Sequence, residues 1–205
     1  TYPAPSYSAT DTPIAPQNGN SLEFGWKSDS TRITAYYLIN NDEIYYDGET
    51  SFTNTTVNKT ERYGLNYSSD IRLSNSVTAS INATQAYAKF TDDTYDGYTV
   101  PSTSEYFGSL KLEQKISDAW SINILSRYQS GQYSINDWSN AYGRRNAYLE
   151  TNLNVSYIGK LFSSSLMIGN LFDDEYDSYH LVSSGSLYRT PAQPRSIRLE
   201  VSTRI

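Results

Sequence analysis

The chain has 205 residues, with 20 tyrosines, one histidine, no cysteine and a net charge of −6. Disulfides, thiolate metal sites and a cysteine nucleophile are therefore excluded. The acidic balance argues against general nucleic-acid binding, and one histidine leaves no histidine-rich metal or haem site. No stretch approaches 18 apolar residues, so the sequence contains no transmembrane helix.

The alternation of side chains along the chain is the main signal. Successive strand residues point to opposite faces, and about nine segments separate apolar from polar residues this way. In the first, about 21–28, Leu22, Phe24 and Trp26 oppose Ser21, Glu23, Gly25 and Lys27. The second, about 31–40, sets Ile33, Ala35, Tyr37 and Ile39 against Arg32, Thr34, Tyr36 and Asn40, with Leu38 breaking the polar side. A polar segment, 41–58, is expected as a loop. The third alternates Tyr63, Leu65, Tyr67, Ile71 and Leu73 with Arg62, Gly64, Asn66, Ser68, Asp70 and Arg72. A one-residue slip would invert every side chain and put arginines into lipid at about 2–4 kcal/mol each near the midplane.

The fourth segment, about 76–90, opposes Val77, Ala79, Ile81, Ala83 and Tyr87 to Ser76, Thr78, Ser80, Asn82 and Thr84. The fifth, about 104–116, opposes Tyr106, Leu110, Leu112 and Ile116 to Ser109, Lys111, Glu113 and Lys115. The sixth opposes Trp120, Ile122, Ile124 and Tyr128 to Ser121, Asn123, Arg127 and Gln129. The seventh opposes Leu149, Leu153, Val155 and Tyr157 to Glu150, Asn152, Asn154 and Ser156. The eighth, about 162–171, turns out Phe162, Leu166 and Ile168. The last, 196–205, opposes Ile197, Leu199, Val201, Thr203 and Ile205 to Ser196, Arg198, Glu200, Ser202 and Arg204.

Connections alternate too: short turns near 29–30, 73–75, 117–118 and 159–161, and long segments at 41–58, 91–103, 131–146 and 172–194. Short turns at one end and long loops at the other are the pattern of an outer-membrane barrel, with lipid outside and water inside. Tyrosine suits both its strands and its membrane–water boundaries. A mean hydropathy of −0.59 is compatible, since half of each strand faces water. A soluble β-sandwich also alternates, but its strands average five or six residues. The persistence here, for about ten, fits a tilted membrane-crossing strand.

Residues 169–176 read Gly-Asn-Leu-Phe-Asp-Asp-Glu-Tyr, and Pro194-Arg195-Ser196 follow some twenty residues on. Asn170, Leu171, Phe172, Asp173, Tyr176, Pro194 and Arg195 together resemble the C-terminal signature of TonB-dependent outer-membrane receptors. Upstream, Pro16 to Gly25 resembles that family's Pro-Glu-x-x-x-x-Tyr-Glu-Leu-Gly stretch. Asn40 to Tyr45 resembles the segment after its next strand, and Asn58 to Gly64 resembles its Asn-x-x-x-x-x-Gly-Val-Glu entry. Phe24 stands where the family carries Leu, and Ile205 stands where it often ends in Phe or Trp. The resemblance implies an all-β fold: residues 1–205 as the last nine strands of a larger, 22-stranded antiparallel transmembrane β-barrel. Its loops would be extracellular and its turns periplasmic. The plug domain and earlier strands would lie elsewhere, and the loop-like start Thr1-Tyr2-Pro3-Ala4-Pro5 would be mid-protein.

Several residues are candidates for binding. Tyr133, Trp138, Tyr142, Arg144 and Arg145 in loop 131–146, with Tyr179, Tyr188 and Arg189 in loop 172–194, offer aromatics and guanidinium groups to an anionic or aromatic ligand. Girdle packing and lipopolysaccharide contact compete with that role. Asp92, Asp93 and Asp96 beside Gly97 offer oxygen ligands to Ca²⁺, though a twelve-residue calcium loop is lacking and a solvated hairpin tip explains them as well. No metal site is otherwise expected. No partner positions His180 for a catalytic triad, so no catalytic residue and no enzyme are expected, and no cofactor. On the aqueous face Arg32, Arg62, Asp70, Arg72, Lys111, Glu113, Arg127, Glu150, Arg198 and Glu200 mix both signs, which predicts mutual pairing rather than a selectivity field.

The resemblance implies a bacterial outer-membrane receptor that captures a scarce nutrient and imports it with energy from TonB. Ferric siderophore is the commonest ligand class; cobalamin, another metal chelate or an oligosaccharide remain open. The implied partners are TonB, through an N-terminal segment, the receptor's own plug and remaining strands, outer-membrane lipid and lipopolysaccharide, and the ligand, with no nucleic acid. A passive porin and a soluble carbohydrate-binding sandwich are the readings from other classes.

Overall fold

A computed structural model describes residues 14–48, 53–91 and 93–203. Nine strands form one antiparallel sheet, each bonded to its neighbour in sequence: β1 (Asn18–Lys27), β2 (Thr31–Asp47), β3 (Thr53–Arg72), β4 (Val77–Phe90), β5 (Tyr106–Lys115), β6 (Trp120–Gln129), β7 (Tyr148–Ile158), β8 (Phe162–Gly169) and, after an inserted hairpin, β11 (Ser196–Thr203). That hairpin pairs β9 (Asp177–Ser183) with β10 (Ser186–Pro191). The order of the nine follows the alternation, and β1 and β11 are the outer strands of a sheet that is not closed.

Register shows why the alternation matters. One row runs Phe24↔Ala35↔Leu65, the next Ser69↔Ile81↔Leu110, and a third Leu112↔Ile124↔Leu153↔Ile168↔Ile197. Apolar side chains thus form a continuous outward face, where Phe24 is 80% exposed and Leu65 49%. In water such an area would drive aggregation; in hydrocarbon it is the solvated surface. The opposite face carries Arg32↔Ser68↔Asn82↔Ser109↔Arg127↔Glu150. Thr84 donates to Asn66 Oδ1 at 2.9 Å and Ser80 to Asp70 at 2.6 Å, linking neighbours on that face. Leu38, Phe107, Leu125 and Met167 are among its apolar exceptions.

The expected pairing of charges on the aqueous face is met in part, and not always between strands; among the described residues Arg32, Asp70 and Arg72 form no ion pair. Lys111–Glu113 (2.8 Å) and Arg198–Glu200 lie within one strand. Arg127–Glu150 (4.0 Å) and Arg62–Glu43 (2.7 Å) cross between strands.

Two expected loops are corrected. Segment 41–58 is not a polar loop, because β2 and β3 continue past the bilayer and pair from Glu43↔Val57 to Asp47↔Thr53. Ten residues suffice to cross the hydrocarbon; beyond it water tolerates the polar residues while the β-branched Thr53, Thr55, Thr56 and Val57 favour extended backbone. Asp42 sits at φ 53°, and past it the alternation reverses. Glu43 and Tyr45 therefore meet Thr60 and Arg62, on the face that Tyr37 turns away from. Segment 172–194 is not all loop either. It contains β9–β10, closed by Ser184 and Gly185, both at positive φ, as tight two-residue hairpin turns require.

Residues Thr1 to Pro5, Arg204 and Ile205, and residues 49–52 of the expected loop, lie outside the described residues. Among the described apolar residues, Val57, Ala79, Ala88, Phe90, Val100 and Val182 are buried. All but Ala79 belong to the long-loop end, so the core of this molecule is a cap above the sheet.

Candidate functional site

The cap is assembled from side chains at the far ends of β2, β3 and β4 and in the segments 91–105 and 130–147. Val57, Ala88, Phe90 and Val100 form its centre, and Tyr45, Tyr95 and Trp138 pack around them. The rings meet edge-on or tilted: Tyr45–Trp138 at 5.7 Å, Tyr95–Trp138 at 5.3 Å and Phe90–Tyr95 at 5.7 Å between centroids. Such pairs add about 0.5–1.5 kcal/mol each beyond area burial.

Loop 130–147 is held rather than free. The Asp137 carboxylate accepts the N–H groups of Ala141 (2.7 Å) and Tyr142 (3.2 Å). Burial pushes its carboxyl above the usual range, and those two bonds oppose the rise. Asn140 exchanges two hydrogen bonds with Thr99, at 2.8 and 2.9 Å. Ile135 pairs with β9 through His180 O (3.1 Å) and the Val182 N–H (2.9 Å). Arg145, 7% exposed, donates to the carbonyls of Asp177 (2.8 Å) and Ser178 (3.0 Å) and lies 5.4 Å over the Tyr148 ring. Loop 130–147 and the β9–β10 hairpin are thus one body.

The signature residues form the seam between sheet and cap. Asn170, at φ 49°, accepts from Asp174 N–H (3.0 Å) and donates to Asp174 O (3.0 Å) and Gln193 O (3.3 Å). Its own N–H reaches Asn152 Oδ1 at 2.9 Å, and the Leu171 N–H reaches Thr151 O at 2.7 Å. Asp173 accepts the Arg195 N–H at 2.8 Å and faces its guanidinium at 3.3 Å. Tyr176 stacks on Tyr148 at 4.1 Å and donates to Glu150 at 2.5 Å. Burial, then that carboxylate, pushes the Tyr176 phenol far above its usual range. Phe172 is exposed, and Pro194 lines the cleft described next. The spacing from Asn170 to Arg195 is therefore the length of the excursion between β8 and β11.

Between loop 130–147 and the segment around the hairpin lies an open cleft of about 780 Å³. It brings together Tyr142, Arg144, Arg145 and Arg189 with Asp173, Asp174, Glu175, Tyr176, Asp177 and His180. Arg144 pairs with Glu105 at 2.6 Å and covers the Tyr133 ring at 4.9 Å. His180 is buried against Asp177 at 2.9 Å. Four of the eight residues singled out for ligand contact therefore converge. Trp138 instead packs in the cap core, while Tyr179 and Tyr188 are exposed on the hairpin. The acidic residues Asp174, Glu175 and Asp177 are not among those singled out for ligand contact; the hairpin's return brings them into one cleft with Arg189.

Asp92 and the side chain of Asp93 lie outside what the structure describes; the backbone at Asp93–Tyr95 forms a 3-10 turn. Among the described residues no three His, Asp or Glu side chains gather in metal-binding geometry.

Comparison with known proteins gives a consistent picture. The family model described as TonB dependent receptor-like, beta-barrel, matches residues 1–171. Among solved structures, the ferric yersiniabactin uptake receptor of Yersinia pestis superposes with TM-score 0.75 at 17% identity, over 90% of this chain and 29% of that one. The ferric-catecholate import receptor of E. coli K12 gives 0.70 at 22% identity, over 95% and 28%. A siderophore receptor of Acinetobacter baumannii gives 0.73 at 17%, over 96% and 30%. This chain thus spans under a third of the length of these receptors. No curated protein sequence matches it.

Proposed function

The chain belongs to the TonB-dependent receptor β-barrel family, and from that membership we propose that it is the C-terminal wall and outer mouth of a receptor importing a metal chelate, with ferric siderophore as the leading ligand. The family is one of outer-membrane transport receptors, not of enzymes. Open edges are not tolerated in lipid, so β1 and β11, each with one neighbour, require further strands to close the barrel. A plug inside it and TonB at the inner membrane would supply gating and energy.

The observation that carries the ligand reading is the cleft over the sheet. It presents Arg189 and Tyr142 on a wall braced by Arg145, with Arg144 held by Glu105 and an acidic side from Asp173 to Asp177. The guanidinium and phenol suit the anionic and planar parts of a chelate, and the carboxylates suit its hydroxyl or ammonium groups. Because the loops are tied to β9 and to the cap core, the cleft is preformed, which lowers the entropy cost of binding. Two of the structural neighbours are receptors for ligands of this class, ferric yersiniabactin and ferric catecholates.

Uptake of radiolabelled iron, presented as catecholate, hydroxamate and citrate chelates to cells lacking the gene and to complemented cells, tests this. Uptake restored for one chelate class, and weakened by Arg189→Ala, is the expected result. Equal uptake with and without the gene for every iron source, with growth rescued on cobalamin or an oligosaccharide, would replace the ligand class.

A further inference from the structure

The outward face at the long-loop end carries a feature that ligand capture does not use. Tyr37, Tyr63, Tyr87 and Tyr106 form a belt across four adjacent strands. Tyr63 and Tyr87 are direct cross-strand partners with rings 5.3 Å apart. Gln85 donates to the hydroxyls of Tyr87 (2.9 Å) and Tyr106 (3.4 Å). From Leu73 to Tyr63 the outward face runs ten residues, which at the usual rise and tilt is about 25 Å, the height of a barrel's apolar band. The belt therefore marks the hydrocarbon boundary.

One pair beyond it, about 5 Å higher, Glu61 and Lys89 face each other in register, with Lys59 two residues further along β3. A cleft of about 340 Å³ opens here, lined by Tyr63, Tyr87, Lys89, Thr103, Glu105 and Arg144. Both carboxylates already hold a cation: Glu61 pairs with Lys59 at 3.6 Å and Glu105 with Arg144 at 2.6 Å. Lys89 is exposed, and among the described residues it has no ion-pair partner although Glu61 stands directly opposite. An ammonium with no ion-pair partner among the described residues thus stands above a tyrosine floor, at headgroup height on the lipid-facing side, where anionic headgroups are at hand.

We propose that this cleft binds a phosphorylated lipid headgroup of the leaflet on the long-loop side, with Lys89 as the principal cation and Tyr87 beneath the sugar or glycerol. The acyl chains would lie along Leu65, Ile81 and Leu110, which continue the same outward face. The site rests on the membrane reading of the family but not on the ligand of the transport cleft; Arg144 lines both clefts, whereas Lys89 and Tyr87 line only this one.

The test uses the full-length receptor extracted in mild detergent and examined by native mass spectrometry. The probes are a phosphorylated diglucosamine lipid, its dephosphorylated form and inorganic phosphate as competitor. The expected result is preferential retention of the phosphorylated lipid, reduced about fivefold or more in Lys89→Glu and to a smaller extent in Lys89→Gln, with chelate uptake unchanged. Equal retention of the two lipids, or equal retention by wild type and Lys89→Glu, would overturn the proposal. Displacement of the lipid by millimolar inorganic phosphate would also overturn it, by showing a free-anion site. Failure of the membrane reading would look different: the wild-type protein would be missing from outer membranes.

Discussion

The sheet and the cap solve opposite problems with the same residues. In the sheet Phe24, Leu65 and Ile197 lie exposed on one face, and no core forms behind them. In the cap Phe90, Val57 and Val100 are almost completely enclosed. The difference follows from solvent. Where lipid is the surroundings, outward apolar side chains need no partner, and stability comes from the backbone ladder. A few residues higher water surrounds the chain, and the ordinary hydrophobic effect folds the loops onto one another. Single strands cross that boundary, β4 most clearly: Ile81 faces outward and Phe90, nine positions on, anchors the cap.

Cutting the cap core should break the comparison hardest. Phe90→Ala should cost about 3–5 kcal/mol and speed protease nicking within residues 91–105 and 130–147, while the folded barrel keeps its heat-modifiable migration on gels. Joint loss of both would mean that sheet and cap are a single unit. Next is Ile81→Arg, opposite Ser69 near mid-height of the band, at about 2–4 kcal/mol, with Leu65→Arg, next to the tyrosine belt, nearer about 1 kcal/mol. Both are read as less assembled protein in outer membranes; unchanged levels for Ile81→Arg would reverse the face assignment. At the seam, Asn170→Ala removes three hydrogen bonds and places alanine at positive φ. A loss of about 1–3 kcal/mol should appear as earlier thermal unfolding of the loop layer.

Acid should act on the cap before the sheet. Burial alone would raise the Glu43 carboxyl, but hydrogen bonds from Arg62 and Thr60 and the guanidinium charge outweigh it and hold it below its ordinary 4.5. A lowered folded-state value means stabilisation fully present above that ordinary value and lost as pH falls through the folded one. Hydrogen exchange of β2 beyond Asn40 should therefore quicken under acid, and Glu43→Gln should flatten the dependence. The mildest change is Asn66→Asp on the aqueous face, which keeps an acceptor for Thr84 and should alter stability by no more than about 0.5 kcal/mol. Damage equal to that of Ile81→Arg would deny that the two faces see different solvents.

The alternation of Leu65, Ile81, Leu153 and Val201 with polar neighbours was enough to specify nine strands, their order and the face each turns outward. That is because strand period and the cost of a charge in lipid are both local properties. The resemblance carried by Asn170 to Arg195 was likewise readable, since a seam built from backbone hydrogen bonds needs fixed residues at fixed spacing. The expected loop at 41–58 failed for a reason the pattern cannot show. Polar residues outside a membrane pair as well as loop, and the reversal at Asp42 depends on one positive φ. Ser184-Gly185 is a legible turn signal within the segment read as loop.

What the chain decided by itself is thus the wall, whose side chains answer to a uniform solvent on each face and need no knowledge of distant residues. The cap and the cleft were decided by tertiary contact. Trp138 becomes a core residue only because Tyr45 from β2 and Tyr95 from the 3-10 turn arrive beside it, and Arg189 and Glu175 line one cleft only because the hairpin folds back. Contacts between segments tens of residues apart leave no period in a sequence, so only the folded structure reveals them.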